Sequence, residues 1–523
     1  MPDQIRNGPI EIVCVLGGGT AGWMTAAALS HKFKGQAVSI RLVESDEIGT
    51  VGVGEATLPH IRNFNSALRI GEPELMKATE ATLKLGIEFC DWGRIGDRYI
   101  HPFGDFGSEL NGVPFHQFWL RLRELGDSTR LDEYSLGIML AEMGRFTSPA
   151  TDPSRLESTF RYAYQFDATR YARFLRRYSE ANGVVRTEGK VVEVRRNATN
   201  GFVESVRLDR GDSIAADLFV DCSGFRGLLI EKELATGYED WTQWLPCNRA
   251  VAIPCETRGP LMPFTRATAR KAGWQWRIPL QHRVGNGHVY CSDFISDDEA
   301  TEFLLANLEG PPLAPPNKLH FKTGRRRLFW NRNVVAIGLS AGFLEPLEST
   351  SIHLIQDGIT ELIQLFPDRG FAQSDADEYN RRMGLNFERV RDFLLLHYVA
   401  NQRDDSPMWL HFQNLKLPDS LQEKLEAWLA RGLIIKYEFG VFLPPSWIAV
   451  LLGQNLVPRG HDPRADAVPA DLLAKNVAAL RRDVLAAAQK APDHAAYIRQ
   501  VGAASETAPM VAPPSTIVDR PTA

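Results

Sequence analysis

The chain has 523 residues, too many for one compact core, so two or three structural units are expected. Its 44% hydrophobic and 24% charged content is that of an ordinary globular protein, and a net charge of -5 leaves no basic footprint for nucleic acid or an anionic membrane. Six cysteines (Cys14, Cys90, Cys222, Cys247, Cys255, Cys291) occur without any C-x-x-C, which argues against zinc, against any other metal site and against a disulfide framework. With no signal peptide and no apolar run of membrane length, a cytoplasmic protein is expected.

In chain order, IEIVCVL at 10–16 is a short β-branched run and reads as a buried strand. GGGTAGWMTAAALS at 17–30 reads as a glycine turn running into a helix, and VSIRLVES at 38–45 as a second strand, together one βαβ unit. Gly17, Gly19 and Gly22 form G-x-G-x-x-G in that setting. The first glycine permits the tight turn, the second lets a pyrophosphate approach the backbone, and the third lets helix and strand pack. The helix N-terminus favours a phosphate, and Glu44 ends the second strand where a carboxylate takes ribose hydroxyls. Residues from about 130 to 182 read as mostly helical, whereas 184–222 switch to strands separated by ATNG and DRGD turns. In GWQWRIP, alternation puts Trp274, Trp276 and Ile278 on one strand face, and Pro279 confines that strand to an edge or an end. DLFVDCSGF and VVAIGLSAGF are further strands, the second ending at Gly338, and both look like late glycine segments that complete an FAD site. No second G-x-G-x-x-G stands in a strand–helix setting, so reduced flavin is expected from elsewhere. Residues 373–500 are helical and amphipathic, no internal repeat is visible, and 503–523, rich in Ala, Pro, Ser and Thr, reads as a disordered tail.

Four segments carry a family resemblance: VGVGEATLPHI at 51–61, TLKLGIEFCDWG at 82–93, GWQWRIP at 273–279 and GLSAGFLEPLEST at 338–350. They resemble, in the same order, segments of the flavin-dependent tryptophan halogenase family, from the N-terminus to roughly residue 460. The resemblance implies an α/β fold: an FAD-binding Rossmann-like domain with added β-sheet over 1–370, carrying substrate-site insertions around 80–180, and a mainly helical substrate-covering region over 371–502. It also places Thr20, Ala21, Gly54, Glu55 and Ala56 with Gly17, Gly19, Gly22, Glu44 and Gly338 in the cofactor site. W-x-W-x-I-P is the family's signature. There Trp274 and Trp276 would lie near the flavin and discourage ordinary monooxygenation.

The implied chemistry runs as follows. FAD, used as FADH2, reacts with O2; halide attacks the resulting flavin peroxide and leaves as hypohalous acid. Lys84 would hold that acid through its ammonium or bind halogen as a haloamine, and a lysine depressed by burial favours the second route. Glu348 would stabilise the cationic ring intermediate or take its proton, assisted by Ser349, while Glu345, three residues earlier, is the decoy carboxylate. Backbone N–H groups of Thr350 and Ser351 would hold halide; the family usually has glycine at the second position, so chloride or bromide preference is open, with a tilt toward bromide. His101, Pro102 and Phe103 match positions lining the family's indole site, and Trp447 is a pocket wall or plain packing. No tyrosine pair stands ready for an amino acid's polar groups, since YEFGVF offers only Tyr437 and Glu438. A free indole, a substituted indole or a larger aromatic is therefore as plausible as tryptophan. The expected partner is a separate NAD(P)H-dependent flavin reductase, with a homodimer an open alternative to a monomer. Two competing functions are an FAD-dependent aromatic monooxygenase, which would need neither Lys84 nor W-x-W-x-I-P, and a catalytically idle flavin-binding protein.

Overall fold

The computed structural model describes residues 8–47 and 54–505. Residues 51–53 of VGVGEATLPHI and 506–523 of the expected tail lie outside that range. Its first layer is a six-stranded sheet whose spatial order is Trp330–Asn331, Val334–Ala336, Leu218–Asp221, Ile12–Leu16, Ser39–Glu44 and Val185–Glu188. All neighbours in it are parallel except the short edge strand Trp330–Asn331. The order reverses beside Ile12–Leu16: the chain leaves that strand through helix Thr20–Lys32 toward Ser39–Glu44 and returns much later on its other side. Open parallel sheets bind ligands at such a switch, beyond the carboxyl ends of the strands. Gly17 follows one of those ends and Cys222 follows the other, joined by a Cys222 N–H bond to the Leu16 carbonyl of 2.9 Å.

The second layer is a seven-stranded sheet ordered Asn317–His320, Arg249–Ala252, Val284–Tyr290, Gly273–Pro279, Phe264–Arg270, Gly86–Cys90 and Arg98–Pro102. The W-x-W strand is central and antiparallel to both neighbours, and Pro279, unable to donate to a ladder, is its last residue. Trp274, Trp276 and Ile278 are buried, but so is Gln275 on the opposite face. Trp276 pairs across the ladder with Gly287, and the indole fills the space a side chain there would occupy.

A third sheet, ordered Gly54–Ala56, Ala163–Asp167 and Thr82–Lys84, joins the two layers. Its centre strand interrupts the stretch read as mostly helical. AYQFD is rich enough in aromatics to serve as a buried strand once two partners distant in sequence pair with it, a long-range contact that local periodicity does not register. The turn-rich stretch 184–222 is strand as expected, with Val191–Arg196, Val203–Leu208 and Ser213–Ala215 forming a small antiparallel sheet of their own.

The C-terminal part is helical: Gln373–Val399, Pro407–Gln413, Asp419–Arg431, Pro444–Gly453, Ala470–Lys490 and His494–Gln500. In the first of these every residue from Val390 to Tyr398 is buried, so the helix end is inserted into the protein rather than laid on it. One hydrophobic cluster runs from Ile10 to Ala503. Residues 503–505, which composition assigns to the tail, are seated: the Ala503 carbonyl accepts from Gln281 Nε2 at 3.0 Å, and the Ser505 N–H donates to Gln281 Oε1 at 2.7 Å. Among the described residues no helix is long and apolar enough to cross a membrane.

The glycine turn depends on contact at Gly22, where an added Cβ would stand 1.8 Å from the Gly17 carbonyl oxygen. Backbone has to move to relieve that clash. Gly22→Ala is expected to lower stability by about 1–3 kcal/mol, the usual cost of overpacking, seen as a lower urea midpoint at unchanged slope.

Candidate active site

At the switch point lies a cavity of about 360 Å³. Gly17, Gly19, Thr20, Ala21, Glu44, Glu55 and Ala56, all expected at the cofactor, line it together with Trp274 and Trp276. Gly17 has φ +115°, and a Cβ there would lie 2.3 Å from the Cys222 carbonyl oxygen, so only glycine makes this turn. Gly54 opens the strand that carries Glu55 and Ala56. Gly22 and Gly338 stand behind the wall, Gly338 against Ala21, where a Cβ would come within 2.7 Å of the alanine's own. The middle glycine, Gly18, escapes the motif but is equally constrained: its missing side chain leaves room for the Glu44 carboxylate, which pairs with Arg186 and Arg176.

These residues fit a dinucleotide. Helix Thr20–Lys32 begins at Gly19 with no side-chain cap, leaving its N–H groups and positive dipole end for a pyrophosphate. Glu44, ending its strand at the cavity, is a carboxylate of the kind that takes ribose hydroxyls, and the aromatic wall suits a flat ring system.

Segment 345–351 separates this cavity from a second centre. Pro346, Leu347, Ser349 and Ser351 face the cavity, whereas Glu348 turns the other way. Ser349 takes the left-handed conformation, φ 58°, between the short helical turn Pro346–Glu348 and helix Ser351–Gln364. That strained link reverses the side on which successive residues emerge. Lys84, with no solvent exposure, ends its strand with Nζ donating to the Thr57 carbonyl at 3.1 Å and to Ser349 Oγ at 2.8 Å. Burial pushes its ammonium down to about 7, against the opposing pull of the Glu348 charge. Phe103 lies beneath, its ring centroid 5.1 Å from Nζ.

Glu348 is equally buried. His101 Nδ1 stands 3.0 Å and 2.9 Å from its two oxygens, and His397 Nε2 stands 2.8 Å from Oε1. Burial alone would raise this carboxyl, but the histidines outweigh it and hold it down to about 2. Glu345 points elsewhere. Its Oε2 accepts from Trp274 Nε1 at 3.2 Å, and burial pushes it up to about 7. The decoy is thus a brace for the signature strand. At the next turn, helix Ser351–Gln364 starts without a side-chain cap, and the buried Thr350 Oγ1 has no partner.

Beyond Glu348 the ring of His101 meets Phe393 at 5.6 Å and Phe442 at 6.1 Å between centroids, and Trp447 stands 5.1 Å from Phe393. Phe103 and Trp447 therefore both border this aromatic region, whereas His101 is engaged by Glu348 and Pro102 lies in the ladder opposite Gly86. Tyr437 is spoken for: its hydroxyl donates to Asp392 Oδ2 at 2.7 Å, and Glu438 is exposed. Sequence reasoning missed Thr57, Phe393, Phe442 and His397. Only His397 left a trace, as a lone imidazole in the apolar run FLLLHYVA.

Comparison with known proteins places the chain in one family. A family model described as Tryptophan halogenase matches residues 12–470. Tryptophan 6-halogenase SttH of Streptomyces toxytricini is 39% identical over 476 residues, 85% of this chain and 89% of the relative. BrvH, a flavin-dependent halogenase from Brevundimonas sp. BAL3, superposes with a TM-score of 0.91 at 46% identity, covering 94% of this chain and 99% of that one. Xcc4156, a flavin-dependent halogenase from Xanthomonas campestris, does so with a TM-score of 0.91 at 44% identity, covering 97% and 100%. The chain belongs to the tryptophan halogenase family and is a flavin-dependent halogenase.

The state of Lys84 has a thermodynamic consequence. Its folded value of about 7 lies below the ordinary 10.5, so between those limits the unfolded chain holds a proton that the folded one lacks. Lys84 therefore makes stability rise with pH across that window. Lys84→Met removes this contribution. Urea midpoints from pH 7 to pH 10 are expected to show the variant losing ground steadily relative to wild type as the pH rises.

Proposed function

We propose that this enzyme halogenates an electron-rich aromatic ring of the indole class, using halide, O2 and FAD delivered as FADH2 by a separate NAD(P)H-dependent flavin reductase in the cytoplasm. The observation that carries the reading is the position of Lys84. It is fully buried, bonded to Ser349, on the far side of segment 345–351 from a cavity built around the dinucleotide turn and two tryptophans. An oxidant made in that cavity has to be handed across the segment, and Lys84 is where it would arrive.

When bound and reduced, the flavin supplies, with O2, the oxidising equivalent that turns halide into hypohalous acid. Halide would be held before that by the N–H groups of Thr350 and Ser351, free of any side-chain cap at a helix start. Ser351 faces the cavity, so its side chain changes the room that glycine would leave; bromide, the more easily oxidised halide, is the one we favour. Lys84, standing near its titration midpoint at neutral pH, has both forms at hand: an ammonium to hydrogen-bond hypohalous acid and an amine to carry the halogen. The substrate ring would lie in the aromatic region beside Phe103 and Trp447. Glu348, ionised at neutral pH, would offset the positive charge of the halogenated ring and take its proton. Several relatives are named for tryptophan at carbon 6 or 7. With Tyr437 bonded to Asp392, an indole without the amino-acid group, or a larger indole-type compound, is the substrate we assign here.

The test is a product assay with indole, FAD, NADH, a generic flavin reductase, O2 and either bromide or chloride, read by mass spectrometry. Wild type is expected to give the halogen isotope pattern, Lys84→Ala none while flavin oxidation continues, and Glu348→Gln at least a hundredfold less, within the usual range for removing a general base. Hydroxylated indole without halogen would replace the halogenase reading with the monooxygenase.

A further inference from the structure

His397 is wholly buried; its Nδ1 makes a regular hydrogen bond to a backbone carbonyl, and its Nε2 faces a Glu348 oxygen. Its Nδ1 lies 2.8 Å from the Phe393 carbonyl one helical turn back. A carbonyl only accepts, so Nδ1 carries the hydrogen. In a neutral ring Nε2 would then be a bare lone pair, 2.8 Å from Glu348 Oε1. Lone pair against carboxylate oxygen is repulsive, and the contact is skewed from a straight hydrogen bond, which leaves charge rather than direction to hold it. Two states remove the repulsion: an imidazolium facing a carboxylate, or a neutral ring facing a protonated Glu348. His101 favours the first: its Nδ1 stands 3.0 Å and 2.9 Å from the two Glu348 oxygens, as an N–H donating to both oxygens of a carboxylate would.

We infer that His397 is a positioning residue held as an imidazolium, whose charge keeps Glu348 ionised and ready to receive the proton of the halogenated ring. In that step the ring C–H bond breaks, its electron pair returns to the ring, and the proton forms an O–H bond on Glu348, while His397 keeps its own protons throughout. The reaction half of the inference rests on the proposed function; the electrostatic half does not. The surroundings are consistent. Phe89 and Trp92 pack on the ring at 4.8 Å and 6.0 Å between centroids. Beyond Glu348 lie His101, Lys84 and Tyr99. Glu88, on the strand of Phe89, turns to Arg98 and Arg266, and on the same helix Arg391 is bonded to Asp392 and Tyr398 turns toward Cys247. Glu348 is thus the carboxylate that faces this imidazole.

Two measurements separate the halves. In protein labelled at histidine Cε1, the His397 resonance, assigned by its loss in His397→Gln or by elimination with His101→Gln, should keep the imidazolium shift at pH 8 in wild type and move to the neutral position in Glu348→Gln. A neutral ring from pH 6 upward in wild type overturns the inference, whether or not the enzyme makes product. With FAD reduced photochemically so that no reductase limits the rate, the acid limb of the kcat–pH profile in His397→Gln should move up by at least one pH unit. A variant that melts like wild type and loses rate equally at every pH would reduce His397 to packing and overturn the positioning role.

Discussion

Three ionisable groups sit together without solvent around Glu348, and this cluster constrains the rest of the molecule. An uncompensated buried charge costs several kcal/mol, and breaking a buried pair costs roughly 3–5 kcal/mol. The cluster therefore holds only if its members arrive together. They come from four places: Lys84 from the joining sheet, His101 from the edge of the large sheet, Glu348 from a short turn, and His397 from the inserted end of a 27-residue helix. Displacing any one element strands a charge in the others. The deep insertion of the C-terminal helix follows from this, since a helix lying on the surface could not bring an imidazole to a carboxylate at the centre.

The second constraint is that one stretch of chain must serve two chambers. Segment 345–351 forms part of the wall of the cavity at the switch point and also supports the buried charges. It manages both because its backbone is irregular. A short helical turn, a left-handed serine and a helix start present Pro346, Leu347, Ser349 and Ser351 to one side and Glu348 to the other. Ser349 is the joint, bordering the cavity while its hydroxyl accepts from Lys84. Glu345 ties the same segment to Trp274, so the signature strand and the turn that carries Glu348 are fixed to each other and not merely adjacent.

What was legible in the sequence was what local rules govern. The glycine turn is dictated by close backbone approach over six residues, and the W-x-W strand by alternation and a terminal proline, so both could be placed from the chain alone. Lys84 and Glu348 were legible only through family resemblance, for a lysine or glutamate in an apolar stretch has many ordinary explanations. The strand Ala163–Asp167 was hidden because it exists by pairing with segments more than seventy residues away. Thr57 contributes a backbone carbonyl, which has no side-chain signature at all. His101 was singled out by the resemblance, but its contact was not legible: its partner is 247 positions away, and nothing near it in the chain announces a carboxylate.

Glu345 and Glu348 show how little of the electrostatics resides in residue type or burial. They lie three positions apart, are both at most 1% exposed, and suffer the same desolvation. Glu345, given neutral donors, is pushed up to about 7; Glu348, given two histidines, is held at about 2. Lys84, next to Glu348, is depressed to about 7 because one opposing carboxylate does not offset its burial. At neutral pH the cluster therefore has one carboxylate that stays charged and one amine able to gain or lose a proton, which is the division that directing an electrophile and then removing a proton requires. The same carboxyl, one helical turn earlier, is only partly ionised at neutral pH. The partner supplied by the fold makes one glutamate a brace for the signature strand and keeps the other charged.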